Sequence, residues 1–229
     1  HSLNGVVLAS KIHKTFNVHL TLTDLFGSPR LAGMARTIEK AAPTNYCDVE
    51  PGEKREYYPM SFAQKRMLIL QEMDPRSIAY NMPNVFQTGP GFDAAAVKNV
   101  FLRLIGRHES LRTCFQVVGN GPVQRVYDHV DFAVEEFGEN GAPAPGNPME
   151  GFVRPFDLSA APLLRVRISA DPGGGYLFMV DMHHIISDGM SHNILTRDFL
   201  TLLTDNELPQ LRLQYKDYSI WQNRRMASG

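Results

Sequence analysis

The first 42 residues carry hydrophobic positions at helical spacing and predict three helices. Ser2 is a residue type that favours the N-terminal cap of a helix. The apolar stripe of the first predicted helix consists of Leu3, Val6, Val7, Ile12 and Phe16. A short helical segment follows at 22–26, and Ser28 with Pro29 is expected to cap and open a third helix. A segment of this length is marginal as an independent core, so 1–42 is expected to be an incomplete helical piece.

Residues 43–57 lose this periodicity. They contain two prolines and a cluster of charged residues, which are features of a linker. From residue 58 onward, helical and strand-like patterns alternate. The chain is therefore predicted to contain a helical piece (1–42), a linker (43–57) and an α/β layer domain (58–229).

Local signals place the elements of the larger domain. Ser61 and Gln64 have the spacing of a capping box, which opens a predicted helix to about Gln71, and Asp93 is expected to cap the next helix. Strands are predicted over 80–87, 113–118, 123–127, 163–169 and 176–182, with glycine-containing hairpin turns after the second and the fourth. Further helices are predicted over 190–203 and 215–225.

Composition excludes several classes of function. The 23 Lys and Arg residues balance 24 Asp and Glu, so a net charge of −1 gives no global basic field for nucleic acid. The apolar runs are too short for a membrane-spanning helix, and the first residues do not resemble a signal peptide. The two cysteines, Cys47 and Cys114, lack the spacing of a zinc site. We expect reduced thiols of a cytoplasmic protein and no bound metal.

The stretch DMHHIISDG at 181–189 carries the candidate chemistry, where a predicted strand ends and a helix begins. Because successive side chains of a strand point to opposite faces, one of His183 and His184 is expected to be buried and the other to face a cleft. Asp188 and Gly189 allow a tight turn, and the carboxylate is expected to pair with an arginine. The residues alone leave three alternatives open: structural histidines, a metal site and a catalytic histidine.

Four motifs, in this order, resemble those of the condensation domains of nonribosomal peptide synthetases. They are SFAQKRM at 61–67, RHESLRTCF at 107–115, the HHxxxDG pattern at 183–189 and YKDYSIWQ at 215–222. The resemblance implies a chloramphenicol acetyltransferase-like lobe, in which a mixed sheet is combined with helices. It also implies an acyltransferase that joins an upstream carrier-bound peptidyl thioester to the amine of a downstream carrier-bound aminoacyl group.

The start of the chain, HSL at 1–3, resembles the end of the GGHSL signature of peptidyl carrier proteins. This resemblance implies that Ser2 carries covalent 4′-phosphopantetheine, added by a phosphopantetheinyl transferase, and a helix N-terminus suits its phosphate. The two preceding glycines and the first carrier helix are absent. The implied partners are upstream and downstream carrier domains and adenylation domains of one synthetase, which acts in antibiotic or other secondary metabolism.

By the same resemblance, His184 is the catalytic histidine and His183 is its buried partner. Gly189 keeps the loop close to the substrate without an intervening side chain. Asp188 is expected to be structural and paired with an arginine, with Arg112 as the first candidate and Arg66 as the second. The resemblance leaves open whether His184 removes a proton or orients the amine.

Two features indicate the subtype of condensation domain. The linker leaves no space for an epimerisation domain. The residue before the serine is His1, whereas carriers that feed epimerisation domains tend to have Asp there. We expect an LCL-type domain with an L-configured donor, and the histidine pair disfavours heterocyclisation. Two other interpretations stay open. One is a non-catalytic fragment that binds carriers. It is favoured because no second lobe follows in this sequence, and for the same reason the isolated chain is expected to be almost inactive. The other is a free-standing acyltransferase that uses acyl-coenzyme A.

Overall fold

The computed structural model describes residues 2–44, 48–89, 93–119, 121–138, 146–171 and 173–227. The chain divides into two compact units, His1–Val49 and Glu50–Gly229. The second unit begins inside the range predicted as a linker, so residues 50–57 belong to it. Gly52 packs closely against α-helical residues of this unit. Its backbone N–H donates to Asp217 at 2.8 Å, and a Cβ atom at this position would lie 2.5 Å from Ile220.

The described part of the first unit contains the helices α1 (Ser2–Phe16), α2 (Leu22–Gly27) and α3 (Leu31–Lys40). Thr21 and Asp24 form a capping box at the start of α2. The prediction that Ser28 and Pro29 cap and open α3 is wrong. Arg30 is the N-cap residue of α3 and accepts from Met34 N–H at 3.0 Å, while Ser28 is the C-cap of α2.

The core of the first unit consists of Ile12, Val18, Leu20 and Leu25. Three residues of the stripe predicted for α1 are instead exposed: Val6, Val7 and Phe16. A different face of α1 meets α2, because a Cβ atom at Gly5 would lie 3.1 Å from Leu22 and 3.2 Å from Phe26. Helix α1 therefore packs through a small residue that a count of large hydrophobic residues overlooks.

The second unit contains two described sheets. The smaller sheet is antiparallel, in the order β1 (Tyr58–Pro59), β4 (Gly121–Val126) and β3 (Thr113–Val118). The larger sheet has the order β2 (Asn84–Gln87), β7 (Tyr176–Met182), β6 (Leu164–Ala170) and β5 (Glu135–Phe137). Strand β5 is parallel to β6, whereas β2 and β6 are antiparallel to β7. This confirms an α/β fold with a mixed sheet.

The described part of the second unit contains four α-helices and one 3₁₀ helix, of which the first two begin where the capping signals predict. They are α4 (Phe62–Met73), α5 (Ala94–Arg107), a 3₁₀ helix (Glu109–Arg112), α6 (Gly189–Leu203) and α7 (Tyr215–Ala227). Both bonds of the predicted capping box form: Gln64 N–H donates to the Ser61 hydroxyl at 3.2 Å, and Ser61 N–H donates to Gln64 Oε1 at 2.9 Å. Asp93 caps α5 by accepting from Ala95 N–H at 2.8 Å.

The predicted strand 80–87 is shorter than expected. It begins at Asn84, since Pro83 has no N–H to donate to a neighbouring strand. The preceding residues still follow β7, because Met82 N–H donates to Met182 O at 2.8 Å. Both predicted hairpins form, as β3–β4 and β6–β7, and the turn residues Asn120 and Pro172 lie outside the described residues.

Helices α5 and α6 cover one face of the larger sheet. Phe178 of β7 contacts Phe101 of α5 and Phe199 of α6, with ring centroids 5.6 and 5.4 Å apart. Aromatic contacts of this kind add to the hydrophobic stabilisation of a core. They pack β7 against α5 and α6, and the HHxxxDG segment follows directly after this strand.

Candidate active site

The two histidines of the HHxxxDG segment follow β7 and point to different environments. His183 N–H donates to Leu163 O at 3.1 Å, and His184 N–H donates to Tyr80 O at 2.8 Å, so the backbone is held on both sides. His183 is fully buried, whereas His184 is partly exposed. The expectation that one histidine of the pair is buried is confirmed, and the expectation that the other faces a cleft stays a prediction.

His183 is a neutral, hydrogen-bonded residue. Its Nδ1 accepts from Ile185 N–H at 3.0 Å, and its Nε2 lies 3.3 Å from Oε1 of Gln71. Because Nδ1 is an acceptor, the proton of the neutral ring is on Nε2, which donates to Gln71. Burial, together with the neighbouring His184, lowers the pKa of His183 to about 4. The ring is therefore uncharged near neutral pH and acts as a structural partner.

His184 presents a ring nitrogen without an internal partner. Its Nδ1 is buried and has no hydrogen-bond partner among the described residues. The ring lies edge-on to Tyr80, with the centroids 6.5 Å apart and an interplanar angle of 77°. Buried polar atoms are usually hydrogen-bonded, and an exception in a native fold is often functional. Because Nδ1 is not exposed, a bound molecule can reach only the partly exposed remainder of the His184 ring.

The chain between the histidines and α6 forms a turn that is fixed at both ends. Ile186 N–H donates to His183 O at 3.1 Å. At the other end Asp188 caps α6, accepting from the N–H and the hydroxyl of Ser191, each at 2.8 Å. Gly189 is the first residue of α6, and a Cβ atom there would meet no other atom within 4 Å.

The predicted pairing of Asp188 with an arginine is wrong for the described part of the chain, where no salt bridge reaches this carboxylate. Arg112 donates instead to the backbone carbonyl of Tyr127, and Arg66 is exposed. Although burial raises the pKa of Asp188, the hydrogen bonds from Ser191 hold it below its ordinary value. The capping bonds within one turn of helix satisfy the carboxylate without a guanidinium.

His192 is a candidate residue that the sequence analysis missed. It lies one turn after Asp188, and its Nδ1 is 3.0 Å from Nδ2 of Asn84. Its Nε2 is buried without a hydrogen-bond partner in the described ranges, and burial lowers its pKa. Both side chains line a mostly apolar cavity of about 290 Å³ between the larger sheet and α6. The sequence pattern that could have indicated His192 is its spacing of four residues from Asp188, which places the two residues on the same face of a helix.

Asp181 is a second residue that the sequence analysis did not assign. It is fully buried in β7, where Nδ2 of Asn81 donates to it at 2.7 Å and a guanidinium nitrogen of Arg165 lies 3.3 Å away. Burial raises the pKa of Asp181. The guanidinium of Arg165 also lies 3.6 Å from the ring centre of Phe156, which contacts His183 edge-on. This group ties β6 and β7 together beside the histidines.

The other three motifs of the resemblance hold elements together. In RHESLRTCF, Nε of Arg107 and Nε2 of His108 lie 3.1 and 3.0 Å from the buried carboxylate of Asp198, which joins α5 to α6. In SFAQKRM and YKDYSIWQ, the hydroxyls of Ser61 and Tyr215 are 3.0 Å apart, which joins α4 to α7. These motifs therefore build the framework around the histidines.

The predicted attachment residue Ser2 begins α1, but its side chain lies outside what the structure describes, as do residues His1 and Cys47. Cys114 is a buried free thiol. Within the described ranges, no group of three or more His, Cys, Asp or Glu side chains is arranged to hold a metal ion. No helix in these ranges is long and apolar enough to cross a membrane.

Comparison with known proteins gives consistent matches. The family model described as "Condensation domain" matches residues 54–229. Tyrocidine synthase 3 of Brevibacillus parabrevis is 43% identical over 222 residues, which cover 97% of this chain and 3% of the relative. The chain thus spans less than a tenth of the length of this curated relative.

Solved structures show the same fold at lower identity. A chain in the complex of the X-domain and OxyB from teicoplanin biosynthesis gives a TM-score of 0.69 at 22% identity, covering 82% of this chain and 42% of that one. The condensation domain from the monacolin K polyketide synthase MokA gives a TM-score of 0.66 at 21% identity, covering 78% of this chain and 41% of that one. In both, the matched part is less than half of the solved chain.

Proposed function

The chain belongs to the condensation-domain family through residues 54–229, and we propose that these residues take part in peptide-bond formation in a nonribosomal peptide synthetase. The enzyme is an acyltransferase whose donor is a peptidyl thioester on an upstream carrier. Its acceptor is the amine of an aminoacyl group on a downstream carrier. The observation that carries the proposal is His184, the partly exposed histidine of the pair, which follows β7 beside the fully buried His183.

In the proposed reaction the acceptor nitrogen attacks the thioester carbonyl carbon. A carbon–nitrogen bond forms, the carbon–sulfur bond breaks, and the proton lost by the amine balances the thiol that is released. His184 contacts the attacking amine, and a histidine suits either proton removal or orientation of the amine at neutral pH. Holding the amine against the thioester is itself a large contribution to the rate.

The neighbouring residues of the motif act through position. His183 is neutral and buried, so it supports the loop and does not transfer a proton in the reaction. Asp188 fixes the start of α6 through Ser191, and Gly189 leaves the space beside the loop open. Neither Arg66 nor Arg112 is assigned a contact with Asp188 or with substrate.

The first unit is proposed to be the C-terminal part of a peptidyl carrier protein. Ser2 at the start of α1 would carry the 4′-phosphopantetheine, where the positive end of the helix dipole favours its phosphate. The helices α1, α2 and α3 support this assignment. The donor is proposed to be L-configured, which makes the domain an LCL type. The partners are the carrier and adenylation domains of the same synthetase and a phosphopantetheinyl transferase.

The test compares His184→Ala with His129→Ala in the parent synthetase. His129 is an exposed residue of the same unit and is the matched control. We expect His184→Ala to lower amide formation by about 10²- to 10⁴-fold while the circular dichroism spectrum and the thermal unfolding stay unchanged. Full activity of a folded His184→Ala enzyme would refute the proposal.

A further inference from the structure

The side-chain amide of Gln71 has one orientation. Gln71 is buried in the last turn of α4, and its Nε2 lies 3.5, 3.4 and 3.2 Å from the carbonyl oxygens of Asp74, Pro75 and Ser77. A flipped amide would place its oxygen against three oxygens, so Nε2 must face this turn. The amide oxygen is therefore directed at Nε2 of His183, 3.3 Å away.

This orientation, together with the backbone N–H of Ile185, selects the tautomer of His183. An amide oxygen can only accept, so Nε2 of His183 must carry the proton and Nδ1 must be unprotonated. The unprotonated Nδ1 is what Ile185 N–H requires as its acceptor, at 3.0 Å. In the opposite tautomer, two N–H groups would face each other at Ile185, and Nε2 would present a lone pair to the Gln71 oxygen.

The tautomer in turn sets the position of His184, which lies between His183 and Ile185 in the chain. The His183 ring closes the turn on one side, and the bond from His184 N–H to Tyr80 O closes it on the other. We propose that Gln71 is a positioning residue, which fixes the His183 tautomer and so holds the turn that presents His184. The catalytic consequence rests on the proposed function, whereas the tautomer and the turn do not.

The test uses the full chain labelled uniformly with ¹⁵N. In the unsubstituted chain we expect His183 to show an unprotonated Nδ1 and a protonated Nε2 at neutral pH. Gln71→Met has a similar length but no amide oxygen, and we expect it to lose this pattern and to shift the Ile185 amide resonance. The matched control is Glu72→Met, which introduces the same side chain at the neighbouring exposed position of α4.

Gln71→Glu provides the conservative variant. Burial favours a neutral carboxyl group, whose hydroxyl can donate to one of the three carbonyls while its other oxygen accepts from His183. We therefore expect Gln71→Glu to keep the tautomer. If Gln71→Met does not fold, a changed tautomer in folded Gln71→Glu overturns the proposal, and a retained one supports it. An unchanged tautomer in folded Gln71→Met also overturns it.

Activity in the parent synthetase separates this proposal from the proposed function. We expect Gln71→Met to reduce amide formation on the order of 10- to 100-fold, and Gln71→Glu to restore most of it. A lost tautomer with unchanged amide formation would overturn the positioning role. Full activity of His184→Ala would overturn the proposed function instead, and would leave the NMR result standing.

Discussion

The carboxylate of Asp188 caps α6 through Ser191, whose backbone N–H and hydroxyl both lie 2.8 Å from the same carboxylate oxygen. A side chain at the N-cap satisfies a donor of the first turn that has no partner within the helix. The loop that begins at His184 is therefore closed by a local bond. Within the described ranges, no arginine takes part.

Replacement of Asp188 tests whether capping is its role. Asp188→Ala is expected to lower the free energy of unfolding of the second unit by about 1 kcal/mol, whereas Asp188→Asn retains most of it, because Asn is an equally good N-cap. Urea unfolding of both variants measures the difference. Equal destabilisation by Asn and Ala would show that the charge of Asp188, and not its capping oxygen, is required.

The Asp198 cluster predicts two different effects for two arginines. The side chain of Arg107 is 14% exposed and that of Arg197 is 69% exposed, while Asp198 is fully buried. Removing one partner of a buried ion pair costs about 3–5 kcal/mol, and removing an exposed partner costs less than about 1 kcal/mol. We expect Arg107→Ala to destabilise strongly and Arg197→Ala weakly in thermal unfolding. Similar effects of the two variants would contradict this account of the cluster.

His183 predicts a dependence of stability on pH. Burial lowers its pKa from 6.5 to about 4, so the unfolded chain binds the proton first as the pH falls. The folded state is expected to lose stability on the order of 3 kcal/mol between pH 6.5 and 4 from this group. His183→Asn removes the titration and should flatten the plot of unfolding free energy against pH. An unchanged slope in this variant would contradict the burial of a neutral imidazole.

The carrier assignment predicts a covalent modification at Ser2. The parent synthetase, incubated with coenzyme A and a phosphopantetheinyl transferase, is expected to gain one phosphopantetheine on the peptide that contains Ser2. Mass spectrometry of that peptide measures the gain, and Ser2→Ala should abolish it. Ser10→Ala, within the same helix α1, is the matched control. Modification of other sites while Ser2 stays unmodified would refute the assignment.

Local signals in the sequence predicted most elements of the second unit. The capping box of Ser61 and Gln64, the cap at Asp93 and both hairpins depend on residues close together in the chain, and the structure contains them. Strands β1 and β5 were missed because two or three residues cannot show an alternating pattern. Their pairing depends on contacts between distant parts of the chain.

The candidate site was predicted in part for the same reason. The separation of His183 from His184 was predicted from the alternation of a strand, which is a local property, although β7 ends at Met182. The bond from His183 to Gln71 joins residues 112 positions apart, and no periodicity in the sequence indicates it. The partner of Asp188 was mispredicted because a long-range ion pair was preferred to a cap three residues away.

The most direct test of the central claim follows the two thioesters in the parent synthetase. With both carriers loaded, intact-mass measurement reports which carrier holds which acyl group over time. In His184→Ala we expect the upstream carrier to keep its peptidyl group and the downstream carrier to keep its aminoacyl group, while the unsubstituted enzyme transfers the chain. Transfer of the chain in a folded His184→Ala enzyme at the unsubstituted rate would contradict the claim that His184 drives condensation.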